Sequence, residues 1–259
     1  MKIRLVYCKL AEAKYVAHLD LTRFFTRALR RAGVDVARSQ GFNPHARISF
    51  GPPLAVGAEG LAEYVDVEIN DTPRLPDPVA AVRALRREMP PTIRVLDFRT
   101  LPPGAPALTA VIDLACYLVF VPLTAARPEA EVEAGLTAWL RQPEILVTKR
   151  KGGAAPVTKN IRPFISRLSL RRAAAGAAAP ADGGGADAAA EEAASAAATE
   201  PGLELDLEIK MTAAGSAKAA DVIESLCEFL ALPWDKNGVT ITRTALFCQG
   251  DKRRSPLEV

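Results

Sequence analysis

Residues 38–53 read R-S-Q-G-F-N-P-H-A-R-I-S-F-G-P-P, and this stretch decides how the first part of the chain folds. Its glycine and proline residues predict turns on both sides of the short apolar run I-S-F, which is typical of a strand. Phe42, His45 and two arginines lie among these turns. Because loops on a rigid scaffold often carry binding residues, we expect this stretch to contact a ligand.

The segment before this stretch has the pattern of an amphipathic helix. Apolar residues recur at helical spacing from Leu21 to Ala32, and Gly33 follows where a C-terminal cap is expected. Asp20 lies where a capping or first-turn acid stabilises the start of a helix. The opposite face carries a stripe of arginines, namely Arg23, Arg27, Arg30 and Arg31. The sequence therefore predicts a helix with one basic face.

Strand and helix patterns then recur in the same order twice along the chain. The first series is a strand at Lys2–Tyr7, the arginine-rich helix, an extended segment within 34–50, a strand at Tyr64–Ile69, a helix at Pro78–Glu88 and a strand at Ile93–Phe98. The second series is Cys116–Val121 (strand), Pro128–Leu140 (helix), Ile145–Thr148 and Leu203–Met211 (strands), Lys218–Leu230 (helix) and Val239–Cys248 (strand). The sequence thus predicts an α+β protein of two tandem ferredoxin-like (βαββαβ) units with antiparallel sheets.

Composition changes along the chain set the predicted boundaries. We expect a first unit over residues 1–101, a linker over 102–111 and a second unit over 112–249. The second unit contains a basic segment at 149–172 and an Ala/Gly-rich insertion at 173–202, which lacks apolar bulk and is predicted to be disordered. Residues 250–259 are predicted to be a flexible basic tail.

The overall composition is that of a globular protein. Hydrophobic residues make up 49% of the 259 residues, charged residues make up 24%, and the net charge is +3. The start of the chain lacks a signal-peptide pattern, and the apolar run at 114–123 is half the length of about 20 residues that a membrane span needs. We therefore expect a cytoplasmic protein that does not contact a membrane.

Neither a metal site nor a cofactor site is predicted. The cysteines, Cys8, Cys116, Cys227 and Cys248, lie far apart and show no iron–sulfur or zinc spacing. We expect them to be small buried hydrophobic residues.

The two histidines are the weak candidates for acid–base catalysis. His18 stands beside Asp20 at the start of the predicted helix, but residues two apart do not face each other on a helix. His45 follows a turn and precedes Arg47, where it can contact a ligand or bond to the local backbone.

Basic and aromatic residues occur together in a way that is typical of proteins that bind single-stranded RNA. The alternative is a solvated basic face. The predicted ligand-binding residues are Arg23, Arg27, Arg30, Arg38, Gly41, Phe42, Asn43, His45, Arg47, Lys149, Arg150, Lys151, Lys159 and Arg162.

Several segments of the chain resemble the bacterial radical-SAM-linked family, a domain of unknown function. The segments are H-L-D-L at 18–21, S-Q-G-F-N-P-H-A-R-I-S-F-G-P-P-L at 39–54, A-E-Y-V-D-V-E at 62–68 and L-P-P-G-A-P at 101–106, with weaker matches at I-L-V-T-K-R-K, N-I-R-P and T-R-T-A-L-F. Ala17 and Ala46 stand where most relatives have serine and proline, and the alanine-rich insertion is not part of the family pattern. The resemblance implies a radical SAM protein, encoded beside the chain or fused to it, as the partner.

Three functions remain open at this point. The resemblance and the basic residues favour an accessory protein, an RNA-binding or adaptor subunit of a radical SAM enzyme, since the chain has no C-x-x-x-C-x-x-C motif to hold a cluster itself. The first alternative is a metal-independent endoribonuclease, because paired ferredoxin-like units also resemble the repeat-processing proteins of CRISPR systems. The second alternative is a protein-interaction domain that binds no nucleic acid.

Overall fold

The computed structural model describes residues 1–70, 77–150, 155–171, 201–248 and 253–259. Its strands are β1 (Lys2–Lys9), β2 (Ile48–Phe50), β3 (Glu59–Glu68), β4 (Ile93–Leu101), β5 (Ile112–Pro122), β6 (Leu146–Lys149), β7 (Val157–Asn160), β8 (Ile165–Leu170), β9 (Gly202–Lys210) and β10 (Thr240–Cys248). Its α-helices are α1 (His18–Arg31), α2 (Pro78–Arg87), α3 (Leu108–Val111), α4 (Glu129–Leu140) and α5 (Ala219–Phe229). The predicted mixture of helices and antiparallel strands is confirmed.

The chain divides into two compact units. Unit 1 comprises Met1–Cys116 together with Thr242–Val259, and unit 2 comprises Tyr117–Ile241. The sequence predicts a continuous second unit over 112–249, so the last strand is assigned differently in the structure. The reason is that Thr242 and Arg243 of β10 pair with the first residues of β3, an association that no local pattern reveals.

Unit 1 is built around β1. This strand lies between β3 and β4 and is antiparallel to both, and β2 is antiparallel to the later part of β3. The side chains of Ile3, Leu5 and Tyr7 on β1 pack with the apolar residues of α1 and α2 into one core. The basic stripe of α1 remains on the outside because its apolar stripe is the buried one.

The chain after β4 and the end of the chain are both tied to unit 1. Residues 102–111, which the sequence predicts as a linker, contain α3, and Leu108 is 1% exposed. The predicted flexible tail also differs from the structure over its described part. The guanidinium of Arg4 is buried, and its Nη1 donates to the carbonyl of Pro256 at 2.7 Å. A buried cation requires acceptors, and residues 253–259 supply some of them.

Unit 2 has its own core and its own strand arrangement. Strand β9 lies between β5 and β8 and is antiparallel to β8, while β6 and β7 form a separate two-stranded antiparallel ribbon. Trp139 of α4, Leu205 of β9 and Leu226 of α5 are buried in this core. The prediction of a strand at Ile145–Thr148 is close in position, but that strand pairs with β7.

The basic segment predicted at 149–172 contains β7 and β8. Ile165 and Leu168 of β8 are both 4% exposed, and the register with β9 shifts between Ile165 and Arg167. This irregularity places two buried side chains three residues apart, which hides the alternation that identifies a strand in sequence. Gly202, predicted as the end of the insertion, is the first residue of β9. Residues 173–200 of the insertion lie outside the described residues.

No helix in the described part of the chain is long and apolar enough to cross a membrane.

Candidate functional site

Residues 38–47 form a closed loop in unit 1. Arg38 pairs with Ala46 in an antiparallel bridge, the amide of Ser39 donates to the carbonyl of His45 at 2.8 Å, and the amide of His45 donates to the hydroxyl of Ser39 at 2.9 Å. Gly41 has a φ of +136°, which L side chains rarely adopt. The loop therefore has a defined base and a turn that needs glycine.

Phe42 stands at the tip of this loop and is fully exposed, with a relative accessibility of 109%. Asn43 and His45, which the sequence also selects, are exposed beside it. Phe42 is thus not a core residue, and both faces of its ring are open to a ligand.

The arginines near the loop and on α1 are exposed, and they differ in their partners. Arg47 pairs with Glu68 at 2.9 Å, and Arg23 pairs with Asp20 at 3.1 Å. Arg27 donates to the carbonyl of Arg23 within its own helix at 3.3 Å. Arg27, Arg30 and Arg38 have no acidic partner among the described residues, so their positive charge is not neutralised locally.

The predicted basic residues of unit 2 have more structural contacts. Lys149 pairs with Asp221, and Lys159 donates to the carbonyl of Ser216 at 2.7 Å while its ammonium lies 4.6 Å from the centre of the Phe164 ring. Arg162 is half-buried, and its Nε donates to the carbonyl of Leu140 at 2.8 Å. Arg150 is exposed next to β6, and Lys151 lies outside the described residues.

Neither histidine has a carboxylate partner in the described ranges. His18 is the first residue of α1, and its ring packs edge-on against Phe50 with 5.3 Å between ring centres. Asp20 is turned to Arg23 instead. Acid–base catalysis by His18 or His45 therefore stays a prediction.

A charged cleft in unit 1 was not predicted from the sequence. It contains about 310 Å³ of space, part of which is open to solvent. It is lined by His18 and Leu21 from α1, by residues 50–54, and by Tyr7, Lys9, Glu63 and Tyr64 from β1 and β3. The segments H-L-D-L and F-G-P-P-L, which are far apart in sequence, thus meet at one place. One sign of this cleft was present in the sequence. It is the charged residue Arg243 within the strand pattern T-I-T-R-T-A-L-F.

Glu63, one of the lining residues, forms a buried ion pair with Arg243. The Nε of Arg243 donates to Glu63 Oε1 at 2.7 Å, and its Nη2 donates to Glu63 Oε2 and to the carbonyl of Pro52 at 2.8 Å. Glu63 and Arg243 are 4% and 1% exposed. This pair is neutral as a whole, and it fixes the loop that contains Pro52 against β3.

Two further polar side chains line the cleft. Lys9 is buried, and its ammonium donates to the carbonyls of Lys14 at 3.2 Å and Val16 at 2.9 Å. Burial lowers the pKa of Lys9, and the Glu63 carboxylate opposes that shift. Burial raises the pKa of the Tyr7 hydroxyl well above its ordinary value, and Glu63 adds to the effect, so Tyr7 stays protonated at neutral pH.

The described residues contain no group of three or more His, Cys, Asp or Glu side chains placed to hold a metal ion. Cys8, Cys227 and Cys248 are buried, and Cys116 is half-buried. Burial raises the pKa of Cys227 to about 12 and that of Cys248 to about 11, which makes both thiols poor nucleophiles.

Chains of two solved complexes are similar to this chain at low identity. A chain of a Cbf5-Nop10-Gar1 complex is 8% identical with a TM-score of 0.45, and the match covers 94% of this chain and 48% of that chain. A chain of an archaeal box H/ACA sRNP Nop10-Cbf5 complex is 9% identical with a TM-score of 0.43, covering 93% and 46%. This chain therefore spans about half the length of those chains.

No curated protein matches the sequence. A family model does match it, over residues 2–199, and that range includes both the loop at 38–47 and the segments that line the cleft. The family is described as "Uncharacterized protein conserved in bacteria (DUF2344)". Because the match extends over most of the sequence, the chain belongs to this bacterial family of unknown function, DUF2344.

Proposed function

We propose that this chain is an accessory protein that binds single-stranded RNA and serves a radical SAM enzyme, without a cluster of its own. The observation that carries the RNA part is the full exposure of Phe42 at the tip of a closed, arginine-bordered loop. Stacking of a base on an exposed aromatic ring contributes about 1–3 kcal/mol and tolerates any base. Hydrogen bonds between the two ends of the loop hold it in place, so little conformational entropy is lost when a nucleobase stacks on Phe42.

The exposed arginines supply the second component of this binding. Arg27 and Arg30 lie on the outer face of α1, and Arg38 borders the loop, all without a local acidic partner in the described residues. Guanidinium groups that are not neutralised attract phosphates, and each phosphate contact adds to the salt dependence of the affinity. Because the net charge of +3 is small, this attraction depends on the local charge around these arginines.

The ribbon of β6 and β7 supports the same proposal in unit 2. It pairs only within itself among the described strands, and it leaves Leu146 and Val157 57% and 69% exposed. Arg150 follows Lys149, the last residue of β6, and is exposed. Two-stranded ribbons with basic and apolar side chains are used by several proteins to contact nucleic acids.

The proposed partnership with a radical SAM protein rests on the family resemblance of the motif segments. The partner would supply the cluster and the radical chemistry, and this chain would hold the RNA substrate. We expect this chain and the radical SAM protein encoded nearest to it to co-elute in size-exclusion chromatography at tens of micromolar. Separate elution of the two folded proteins would contradict the partnership and leave the RNA proposal intact.

We also propose that both units are ferredoxin-like. The strand order β4-β1-β3-β2 of unit 1, with every pair antiparallel, supports this topology. In unit 2, β9 lies between β5 and β8 as β3 lies between β1 and β2.

The RNA proposal is tested by fluorescence anisotropy with a labelled single-stranded oligonucleotide at several salt concentrations. If about four phosphates are contacted, the logarithm of the affinity should fall with the logarithm of the salt concentration with a slope of about −3, since each contact contributes about −0.7. Arg27→Ala should weaken binding and flatten the slope by about 0.7. Arg83→Ala, which removes an exposed arginine from α2, is the matched control for net charge.

The Phe42 loop is tested in the same assay. Phe42→Ala should weaken binding by about 1–3 kcal/mol and leave the salt slope unchanged, because stacking involves no counterion release. Tyr15→Ala removes another exposed aromatic side chain of unit 1 and should leave the affinity unchanged. Absence of RNA binding at low salt would overturn the proposal and favour a protein-interaction domain.

A further inference from the structure

The cleft of unit 1 contains two buried hydrogen-bond donors whose capacity is not used up. Tyr7 is 3% exposed and lines the cleft, yet its hydroxyl bonds to no described residue and is not sealed from solvent. Lys9 is 2% exposed, and its ammonium donates to two carbonyls although it has three hydrogens. The Tyr7 hydroxyl and the third hydrogen of the Lys9 ammonium can therefore both bind an acceptor that enters the cleft.

The charge of the cleft favours an anionic acceptor. Glu63 is the carboxylate of the lining, and Arg243 neutralises it through two hydrogen bonds. The positive charge of Lys9 then remains without a carboxylate of its own. Removing such a charge from water is costly unless a counter-charge is bound nearby.

The start of α1 borders the same cleft through His18 and Leu21. This helix is 14 residues long, and Ala17 precedes it without any side chain to cap the amides of the first turn. Free amides and the helix dipole at such an end attract negative charge. The helix end therefore adds to the field of Lys9 and the hydroxyl of Tyr7.

We propose that this cleft is a binding site for the phosphate group of a small phosphorylated ligand, held by the Tyr7 hydroxyl, the Lys9 ammonium and the first-turn amides of α1. The lining also includes Phe50 and residues 52–54, which are mainly apolar and suit the organic part of such a ligand. The site uses none of the residues that we assign to RNA, so it stands or falls independently of the RNA proposal.

A phosphate fits this arrangement better than a carboxylate. Its oxygens point in several directions and can accept from a hydroxyl, an ammonium and backbone amides at the same time, whereas a carboxylate has two oxygens in one plane. Its charge at neutral pH is also larger, which suits a lysine together with a helix N-terminus.

The test uses the full chain and inorganic phosphate as the probe, with sodium chloride at matched ionic strength as the reference. We expect millimolar phosphate to raise the melting temperature, and acetate to do so much less. Tyr7→Phe, which keeps the ring packing, should weaken phosphate binding in calorimetry about tenfold or more, as expected for loss of a hydrogen bond to a charged group. Tyr64→Phe is the matched control, because the Tyr64 hydroxyl also lies at the cleft but bonds to Ser255 at 3.2 Å.

A measurement on the unchanged protein guards against misfolding of the variant. In a phosphate titration followed by amide NMR shifts, the signals of Lys9, His18 and Leu19 should move and that of Phe42 should not. Three results would each overturn the phosphate site. They are an equal rise in melting temperature with acetate, an unchanged phosphate affinity in Tyr7→Phe, and amide shifts confined to other parts of the chain. Phe42→Ala should bind phosphate normally, which separates this result from the RNA experiment.

Discussion

Two buried arginines connect distant parts of unit 1. Arg4 and Arg243 are 0% and 1% exposed, and each pairs with an acid of β3, Asp66 and Glu63 respectively. Each also donates to backbone carbonyls, which are those of Pro106, Pro256 and Val259 for Arg4 and that of Pro52 for Arg243. A buried ion pair is costly to break, because the remaining charge loses its counter-charge at a position that water does not reach.

Glu63→Gln should therefore destabilise unit 1 strongly. The substitution keeps the shape of the side chain but removes the carboxylate charge that pairs with Arg243, and we expect the free energy of unfolding in urea to fall by about 3–5 kcal/mol. Glu88→Gln breaks the exposed pair with Arg31 and is the matched control, with an expected loss below about 1 kcal/mol. Equal losses for the two variants would show that the buried pair contributes no more than a surface pair.

At the residue scale, the sequence located exposed side chains better than cleft residues. The exposure of Phe42, and of Arg27 and Arg30 opposite the apolar face of α1, follows from turn chemistry and helical periodicity, which are local. The roles of Tyr7 and Lys9 depend on what lies across the fold from them. A tyrosine in an alternating strand looks like an ordinary core residue until its hydroxyl is placed beside a cleft.

Among the elements, the hairpin of β8 and β9 explains how the chain accommodates its Ala/Gly-rich insertion. Leu170 pairs with Leu205, and the amide of Arg171 donates to the carbonyl of Glu204 at 2.8 Å. The two strands are therefore adjacent where the insertion leaves and returns. Closing a loop of about 30 residues costs only about 2 kcal/mol more than closing one of about 4, so a long connection is tolerated.

Replacing residues 173–200 with a short Gly-Ser linker should leave the fold intact. These residues include almost no large apolar side chains, and the paired strand ends allow a short connection. We expect the melting temperature to stay within a few degrees of that of the natural chain, by differential scanning calorimetry. A drop of ten degrees or more would mean that the insertion contributes to the core of unit 2.

The helices were predicted more closely than the strands. The prediction placed the start and end of α2 at Pro78 and Glu88, and the helix covers Pro78–Arg87, because proline and the capping side chain of Asp77 mark its start. In β8 the irregularity near Ile165 disrupts the period of two that identifies a strand, so the sequence predicted only a basic segment there. Local signals identify an element only where its geometry is regular.

For the whole molecule, unit 2 is one continuous piece of chain, whereas unit 1 consists of two pieces. Prediction of two consecutive units follows naturally from a repeated order of elements. The repeated order could not reveal that Thr242 and Arg243 pair with Glu59 and Gly60, because this pairing joins residues that are far apart in sequence.

Deleting residues 253–259 should destabilise unit 1 selectively. Arg4 loses the carbonyls of Pro256 and Val259, and a buried donor left without its acceptor costs about 1–3 kcal/mol. Hydrogen exchange should show faster exchange in β1 and β3 and unchanged protection in α4 and α5. Arg254→Ala removes an exposed side chain of the same segment and keeps these carbonyls, so it is the control and should have a small effect. If amide exchange in β1 and β3 were as slow in the shortened chain as in the full chain, the anchoring role of Arg4 would be contradicted.

The contact of Arg4 with Pro256 spans 252 residues of sequence, and this has a consequence for how the protein is made. Residues Tyr117–Ile241 of unit 2 are synthesised between the two pieces of unit 1. The guanidinium of Arg4 therefore lacks its acceptors at Pro256 and Val259 until long after β1 has been made. The chain of unit 2 is complete before that of unit 1, so the core of unit 1 is the later of the two to be completed.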